Sequence, residues 1–283
     1  MAEIIFSADS TIDLSTELKK EYNIHIVPLS VTVGGTEYLD GVTLQSDDIY
    51  GMVEKTGVLP RTAAVNETNF LEHFTKIRNG DKSKTIIHFS ISSELSCSFQ
   101  NAVNASKETE NVLIVDGRSL STGTALLAIS ACEMAKNGAT VSEIYDYCLT
   151  STDKVQASFI VDDLLYLHKG GRCKGLTMYM ANLLKIHPML TLSNGFLKPD
   201  TKFRGSMKIA LNKYINYLKE NHPQVNTKFA FVTHTLMDQA LVDQAVTLAK
   251  ELFGFEKIYE TKAGATITSH CGKGTIGLLF LDK

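Results

Sequence analysis

Near the carboxyl end the chain reads GATITSHCGKGTIGLLFLDK, where His270 stands beside a Gly-Lys-Gly turn and ahead of the apolar run Ile276 to Leu281. Glycines let backbone amides approach an anion closely, and an adjacent histidine adds a directional donor. The same stretch spells GxGxxG through Gly272, Gly274 and Gly277. A dinucleotide fingerprint follows a strand, opens a helix and needs an acidic residue about twenty positions on. Here the chain ends almost at once, so a nicotinamide site is rejected. Gly272-Lys273 is not a phosphate loop either, because Ile267 takes the first glycine's place and Gly274 that of Ser or Thr.

Other polar clusters fall just past the carboxyl ends of expected strands: Asp9-Ser10-Thr11, Ser92-Ser93 with Ser96 and Ser98, and Asp116 with Ser119, Ser121 and Thr122. Ligands of open α/β sheets bind at those ends, although any one of these hydroxyls is ordinarily a helix cap. No GxSxG elbow, HExxH or other metal-ligand spacing occurs. Cys97 reads as a small buried thiol rather than a nucleophile, and Asp162-Asp163 as a cap or ion pair. The segment HKGGRCKG gathers Lys169, Arg172 and Lys174, and its glycine pair shapes a turn that presents a guanidinium to a phosphate or an acidic surface. Neutral donors outnumber activated nucleophiles, which suits holding an anion better than cutting a bond.

These residues need elements to position them. At 283 residues, 44% hydrophobic and 21% charged, the chain can fold with an ample core. A formal net charge of -3 argues against a general affinity for nucleic acid. No stretch is apolar enough for an integral membrane segment and the amino end lacks a signal peptide's regions. Five cysteines without CxxC spacing read as reduced thiols, so a cytoplasmic protein is expected.

The first half alternates strands with helices. Ile4–Phe6, Ile24–Val33, Thr85–Ile91 and Val112–Val115 read as strands. Helices follow around Leu14–Tyr22, Ile49–Val53 and Phe70–Ile77, the last capped by Asn66, and Thr140 with Glu143 makes a capping box. This pattern predicts a mostly parallel sheet. The second half differs. Ala157–Val161 reads as a strand, Met178–Ile186 as a buried helix, and Met189–Leu192 before Asn194-Gly195 as a hairpin. Two long amphipathic helices, Ser206–Glu220 and Met237–Phe253, flank the strand Phe229–Thr233, and strands at Lys257–Tyr259 and Thr275–Leu281 close the chain. The expected fold is therefore α/β in two domains, a mostly parallel 1–152 and an α+β 153–283.

The ordered motifs DSTIDL, PRTAAV, ISSELSCSFQNA, VDGRSLSTG, DDLLYLHKGGR and SHCGKGTIG resemble the DegV family of bacterial fatty-acid-binding proteins, which includes the FakB subunits of fatty-acid kinase. The likeness runs over essentially the whole chain. It implies a protein without a catalytic centre or cofactor that buries one palmitate- or oleate-like fatty acid between its domains. It further implies that a threonine, a serine and a histidine hold the carboxylate, at Thr62, Ser96 and His270. Ser93, Ser98 and Ser121 would support them from behind. A separate ATP-dependent kinase subunit would then phosphorylate the carboxylate to an acyl phosphate, meeting Arg172 and Arg204.

The chain departs from the family pattern at Ala63-Ala64-Val65, where Ser-Gln-Pro is usual, at Cys97-Ser98 after the serine, and at Cys271 after the histidine. Candidate residues for the acyl tunnel are Phe159, Ile160, Leu164, Met178, Leu183 and Leu184. Burying a carboxylate forfeits several kcal/mol of hydration that such donors must replace, while the tail recovers about 0.8 kcal/mol per methylene. The alternative is a hydrolase or other small-molecule enzyme using His270 with Ser96 or Cys97.

Overall fold

The computed structural model describes residues 3–173, 175 and 185–283. The expected helix at 178–186 and the residues Lys174, Met178, Leu183 and Leu184 fall wholly or mostly outside them. The first half runs β1 (Ile4–Asp9), α1 (Thr16–Glu21), β2 (Ile24–Val27), β3 (Ser30–Val33), β4 (Thr36–Leu39), α2 (Asp48–Thr56), β5 (Arg61–Ala63), α3 (Glu67–Arg78), β6 (Thr85–Ser90), α4 (Ser98–Lys107), β7 (Val112–Asp116), α5 (Thr122–Lys136) and α6 (Val141–Ser151). The second runs β8 (Val155–Ile160), α7 (Leu165–Gly170), β9 (Ile186–Ser193), β10 (Phe196–Arg204), α8 (Met207–Asn221), β11 (Phe229–His234), α9 (Gln239–Phe253), β12 (Lys257–Lys262), α10 (Ala265–Cys271) and β13 (Ile276–Leu281).

Strands β2-β1-β6-β7 form the expected sheet, parallel throughout. Its interior strands are short apolar runs buried on both faces, as crossover helices require. In the second half, β10-β9-β8-β13-β11-β12 form a six-stranded sheet, antiparallel except where β11 meets β12. The two architectures sit in the expected halves of an α/β fold. Asn194 and Gly195, at φ 51° and 82°, make the tight turn between β9 and β10. Asn66 and the Thr140–Glu143 box cap α3 and α6 as their sequences predict.

Two expectations fail locally. Ile24–Val33 is not one strand: Pro28 brings no amide hydrogen to a ladder, and the Leu29 amide donates instead to Ser10 Oγ (3.1 Å). The chain turns there, and β3 joins β4 and β5 in a separate antiparallel sheet. The stretch before Cys271, read only as the approach to a glycine turn, is the helix α10.

Helix α5 explains how the two large sheets pack. It is buried on nearly every side because it lies between them. One apolar cluster joins Phe6, Phe89 and Val115 of the parallel sheet through Leu126 and Ile129 to Phe231 and Leu279 of the other. At the opposite end, α10 is inserted against the small sheet, with Ala265 packed beside Val31, Val33 and Ile49. Among the described residues no helix is long and apolar enough to cross a membrane.

Candidate functional site: a hydroxyl–histidine pair at the mouth of an apolar cavity

Thr62 lies in β5, opposite Val31 of β3, and His270 in the last turn of α10. The two are 208 positions apart in the chain, yet Thr62 Oγ1 and His270 Nε2 lie 2.8 Å apart. The other ring nitrogen, Nδ1, is buried without a partner and faces Gly170, where any Cβ would come within 2.3 Å of it. A buried N–H without an acceptor costs about 1–3 kcal/mol. The tautomer that avoids this cost carries its proton on Nε2, which donates to Thr62. The Thr62 hydroxyl proton is then free to donate into the cavity beside it.

Burial lowers His270 to about 4, and the nearby Arg172 guanidinium adds to the depression. The ring is therefore neutral at physiological pH. So low a basicity makes it a poor general base, which counts against the hydrolase alternative. Ser96 Oγ donates to Ser98 Oγ (3.1 Å) and accepts from the Ser98 amide (3.2 Å), so its partners are at the start of α4.

Thr62, Ser96 and His270 line one cavity of about 200 Å³ together with Arg172 and a largely apolar wall including Leu29, Ile91, Leu95, Leu120, Leu197 and Ile267. Cys97 lines it too and is exposed, not buried as its sequence suggested, because it stands just ahead of α4 at the cavity's edge. Leu120, Ile267 and Cys271 also line a smaller chamber of about 30 Å³ that reaches Phe159 and Leu279. The cavity thus sets a cluster of hydroxyl, imidazole and guanidinium groups, the last from exposed Arg172, against a largely apolar wall. The wall residues come from segments on both sides of residue 152.

Sequence reasoning located part of this arrangement. Of the expected tunnel residues in the described structure, Phe159 lines the inner chamber, Leu164 packs in the same apolar cluster as the cavity wall without lining either chamber, and Ile160 packs in a different core cluster. Leu29, Leu120, Leu197 and Ile267 were missed. Local sequence hardly marks them: Leu120 and Ile267 are single apolar residues inside polar motifs, whereas Leu29 and Leu197 stand among other apolar residues. The supporting serines divide. Ser98 sits behind Ser96 and also accepts from the Val65 amide (3.3 Å). Ser121 lines the inner chamber but donates to Asp13 (2.5 Å). Ser93 is exposed and donates to Asp116 (2.6 Å), away from the cavity. Arg172 lines the mouth and donates to the Gly170 carbonyl (2.8 Å). Arg204 is exposed at the far end of β10 and lines neither chamber.

Most other strand-end polar residues satisfy one another. Asp9 accepts from Thr11 Oγ1, Ser90 Oγ and the Ile91 amide. Asp163 accepts from the Leu165 amide, and Asp162 lies 3.4 Å from His187. Gly272 and Gly274 lead from a helix to a strand, the reverse of a dinucleotide turn. Among the described residues no group of His, Cys, Asp and Glu side chains could hold a metal ion.

Buried titratable groups predict an acid response. Burial lowers His73 to about 4, His25 below and His88 well below the usual range, besides His270. A histidine depressed on folding stabilises the fold above its unfolded value near 6.5 and loses that contribution as pH falls toward the folded value. Asp9, raised by burial to about 6, and Asp13, raised well above its usual range, act in the opposite sense, because the folded state takes up their protons first. Four histidines against two carboxylates should leave a net loss of stability between about pH 7 and pH 4.5. Urea unfolding at both pH values checks this; a higher midpoint in acid would show that the carboxylates dominate.

A family model described as uncharacterised protein, DegV family, matches residues 4–283, so the chain belongs to the DegV family. A fatty acid-binding protein of Thermotoga maritima is 31% identical over 275 residues, covering 95% of this chain and 94% of its own. Among solved structures, a DegV lipid-binding protein of the same organism superposes with a TM-score of 0.87 at 29% identity, covering 99% of this chain and 98% of that one. DegV of Bacillus subtilis, a fatty acid binding protein, superposes at 0.86 with 25% identity over 100% of both chains. These likenesses agree with the two-part α/β architecture.

Proposed function

We propose that this protein is a cytoplasmic carrier, without a catalytic centre of its own, that binds one palmitate- or oleate-like fatty acid. The Thr62–His270 pair with Ser96 and Arg172 would hold the carboxylate, and the tail would run past Leu120 and Ile267. The observation that carries this reading is the 2.8 Å pairing of Thr62 with a neutral, buried His270 in the lining of a largely apolar cavity. A buried carboxylate needs donors already fixed in place. Here the ring proton is committed to Thr62, so the threonine hydroxyl is polarised toward an incoming oxyanion. Relatives described as fatty acid-binding add support. Segments 1–152 and 153–283 would act as two domains with the lipid between them.

The carboxylate end lies beside exposed Arg172. That placement favours presentation of the acid to a separate ATP-dependent kinase subunit that would dock on Arg172, with Arg204 as a more distant contact. A carboxylate oxygen would attack the γ-phosphorus of ATP held by that subunit, the bond to the ADP oxygen would break, and acyl phosphate and ADP would result.

Organic extraction of the purified protein followed by mass spectrometry tests the binding reading. A co-purified long-chain acid, or stoichiometric uptake of added oleate, is expected; neither would refute it. Thr62→Ala or Ser96→Ala should weaken oleate binding by about 1–3 kcal/mol, the cost of a buried polar group losing its partner. Unchanged affinity in both variants, measured by competition with a fluorescent fatty acid, would remove these hydroxyls from the site.

A further inference from the structure

We propose that Asp13 and Asp40 form a two-carboxylate clamp on the first turn of α10 and act as positioning residues for His270, although neither lines the cavity. The geometry stands apart from any ligand, and only the lipid readout below rests on the fatty-acid reading.

Helix α10 spans seven residues and carries the β-branched residues Thr266, Ile267 and Thr268. Helices this short do not hold themselves in water. The leading amides of α10 are supplied from distant chain. Gly264 N donates to Asp13 Oδ1 (2.8 Å), Ala265 N to Asp40 Oδ1 (2.7 Å) and Thr266 N to Asp40 Oδ2 (3.2 Å). Each carboxylate is itself fixed. Asp13, at φ 54° after a 3-10 turn, accepts from Ser121 Oγ, and Asp40 accepts from Ser10 Oγ (2.9 Å). Both aspartates are buried. Burying two carboxylates side by side is costly unless their partners are well placed, and here the partners are the start of the helix that carries His270.

Asp40 ties the two halves of the site together. It follows Leu39, which pairs with Ser30, which in turn pairs with Ala63 next to Thr62. The small sheet that presents Thr62 therefore also anchors α10, and His270 lies about 7.5 Å farther along the helix axis. Displacing the first turn would carry the imidazole off the threonine hydroxyl. Gly264 gives this arrangement a fingerprint. Its φ of −68° suits alanine, but a Cβ there would lie 2.9 Å from Asp13 Oδ1 and 3.1 Å from Asp40 Oδ1. Gly264→Ala thus disturbs the carboxylates without straining the backbone.

The test is an NMR titration of the histidine rings in the full-length chain, paired with oleate binding. In Gly264→Ala and Asp40→Ala, His270 should titrate about one unit or more closer to its free value, with oleate bound about tenfold more weakly. Asp40→Asn, whose amide oxygen still accepts from Ala265, should restore much of both. Should Asp40→Ala fail to fold, Gly264→Ala alone decides the matter, a wild-type titration there counting against the clamp. A wild-type His270 titration and wild-type oleate affinity in Gly264→Ala and in Asp40→Ala overturn the clamp. A displaced titration with unchanged oleate affinity sustains the clamp and instead overturns the role of His270 in lipid binding.

Discussion

Gly170→Ala should weaken oleate binding by about a hundredfold, nearly as much as removing His270 itself. Gly170 ends α7, and a Cβ there would lie 2.3 Å from His270 Nδ1 and 3.3 Å from two ring carbons. Helix propensity alone predicts the opposite, since alanine is favoured over glycine in a helix by about 1 kcal/mol. The clash decides, because no two heavy atoms can remain so close without a bond. The ring cannot simply withdraw. It is held on its other side by Thr62 and is largely buried. It must rotate away from the hydroxyl, or the end of α7 must move and take Arg172 with it. Gly171→Ala is the control, because nothing lies within 4 Å of a Cβ there and its φ of 66° brings only backbone strain. That variant should lose some thermal stability and keep its affinity. Equal affinities in wild type and Gly170→Ala would show that the imidazole is not confined as described.

Gly277→Ala should cost about 3 kcal/mol of stability, a fall of roughly 6–12 °C in Tm. Gly277 lies in β13, between Phe159 of β8 and Thr233 of β11. A Cβ there would stand 2.5 Å from the Ser158 carbonyl oxygen and 3.0 Å from Phe159 Cβ. The first obstacle is backbone of a neighbouring strand, which can yield only by parting two central strands of the six-stranded sheet. Gly277 and Phe159 both line the inner chamber, so any relief also reshapes the cavity's far end. A calorimetric scan decides, and a wild-type Tm would mean that the sheet has slack at this point.

The reason for Gly277 illustrates what the chain discloses by itself. As sequence it is the last glycine of a false dinucleotide fingerprint, and its true constraint lies on another strand. Local chemistry was readable where the deciding contacts are local. Asn194-Gly195 specifies its turn, Thr140 and Glu143 satisfy each other, and the amphipathic periods of α8 and α9 mark two long helices.

Helix α10 was not readable, because its residue types disfavour a helix and its first turn is held by aspartates more than 200 positions away. The break after Val27 was readable in principle from Pro28, but the partner that takes the Leu29 amide is Ser10, in another segment. His270 drew attention as a donor beside glycines. Thr62 became its partner only through the resemblance to a family, because no local feature of PRTAAV marks a site. Gly170 was noticed as part of a glycine pair shaping a basic turn, whereas its closest constraint is the imidazole packed against it.

Crystallising the protein with added oleate tests the central claim most directly. The account predicts one acyl chain with its carboxylate within hydrogen-bonding distance of Thr62 Oγ1 and beside His270, and a tail passing Leu120 and Ile267 toward Phe159. An acid bound elsewhere, or one lying in the cavity with its headgroup turned away from Thr62, would contradict it.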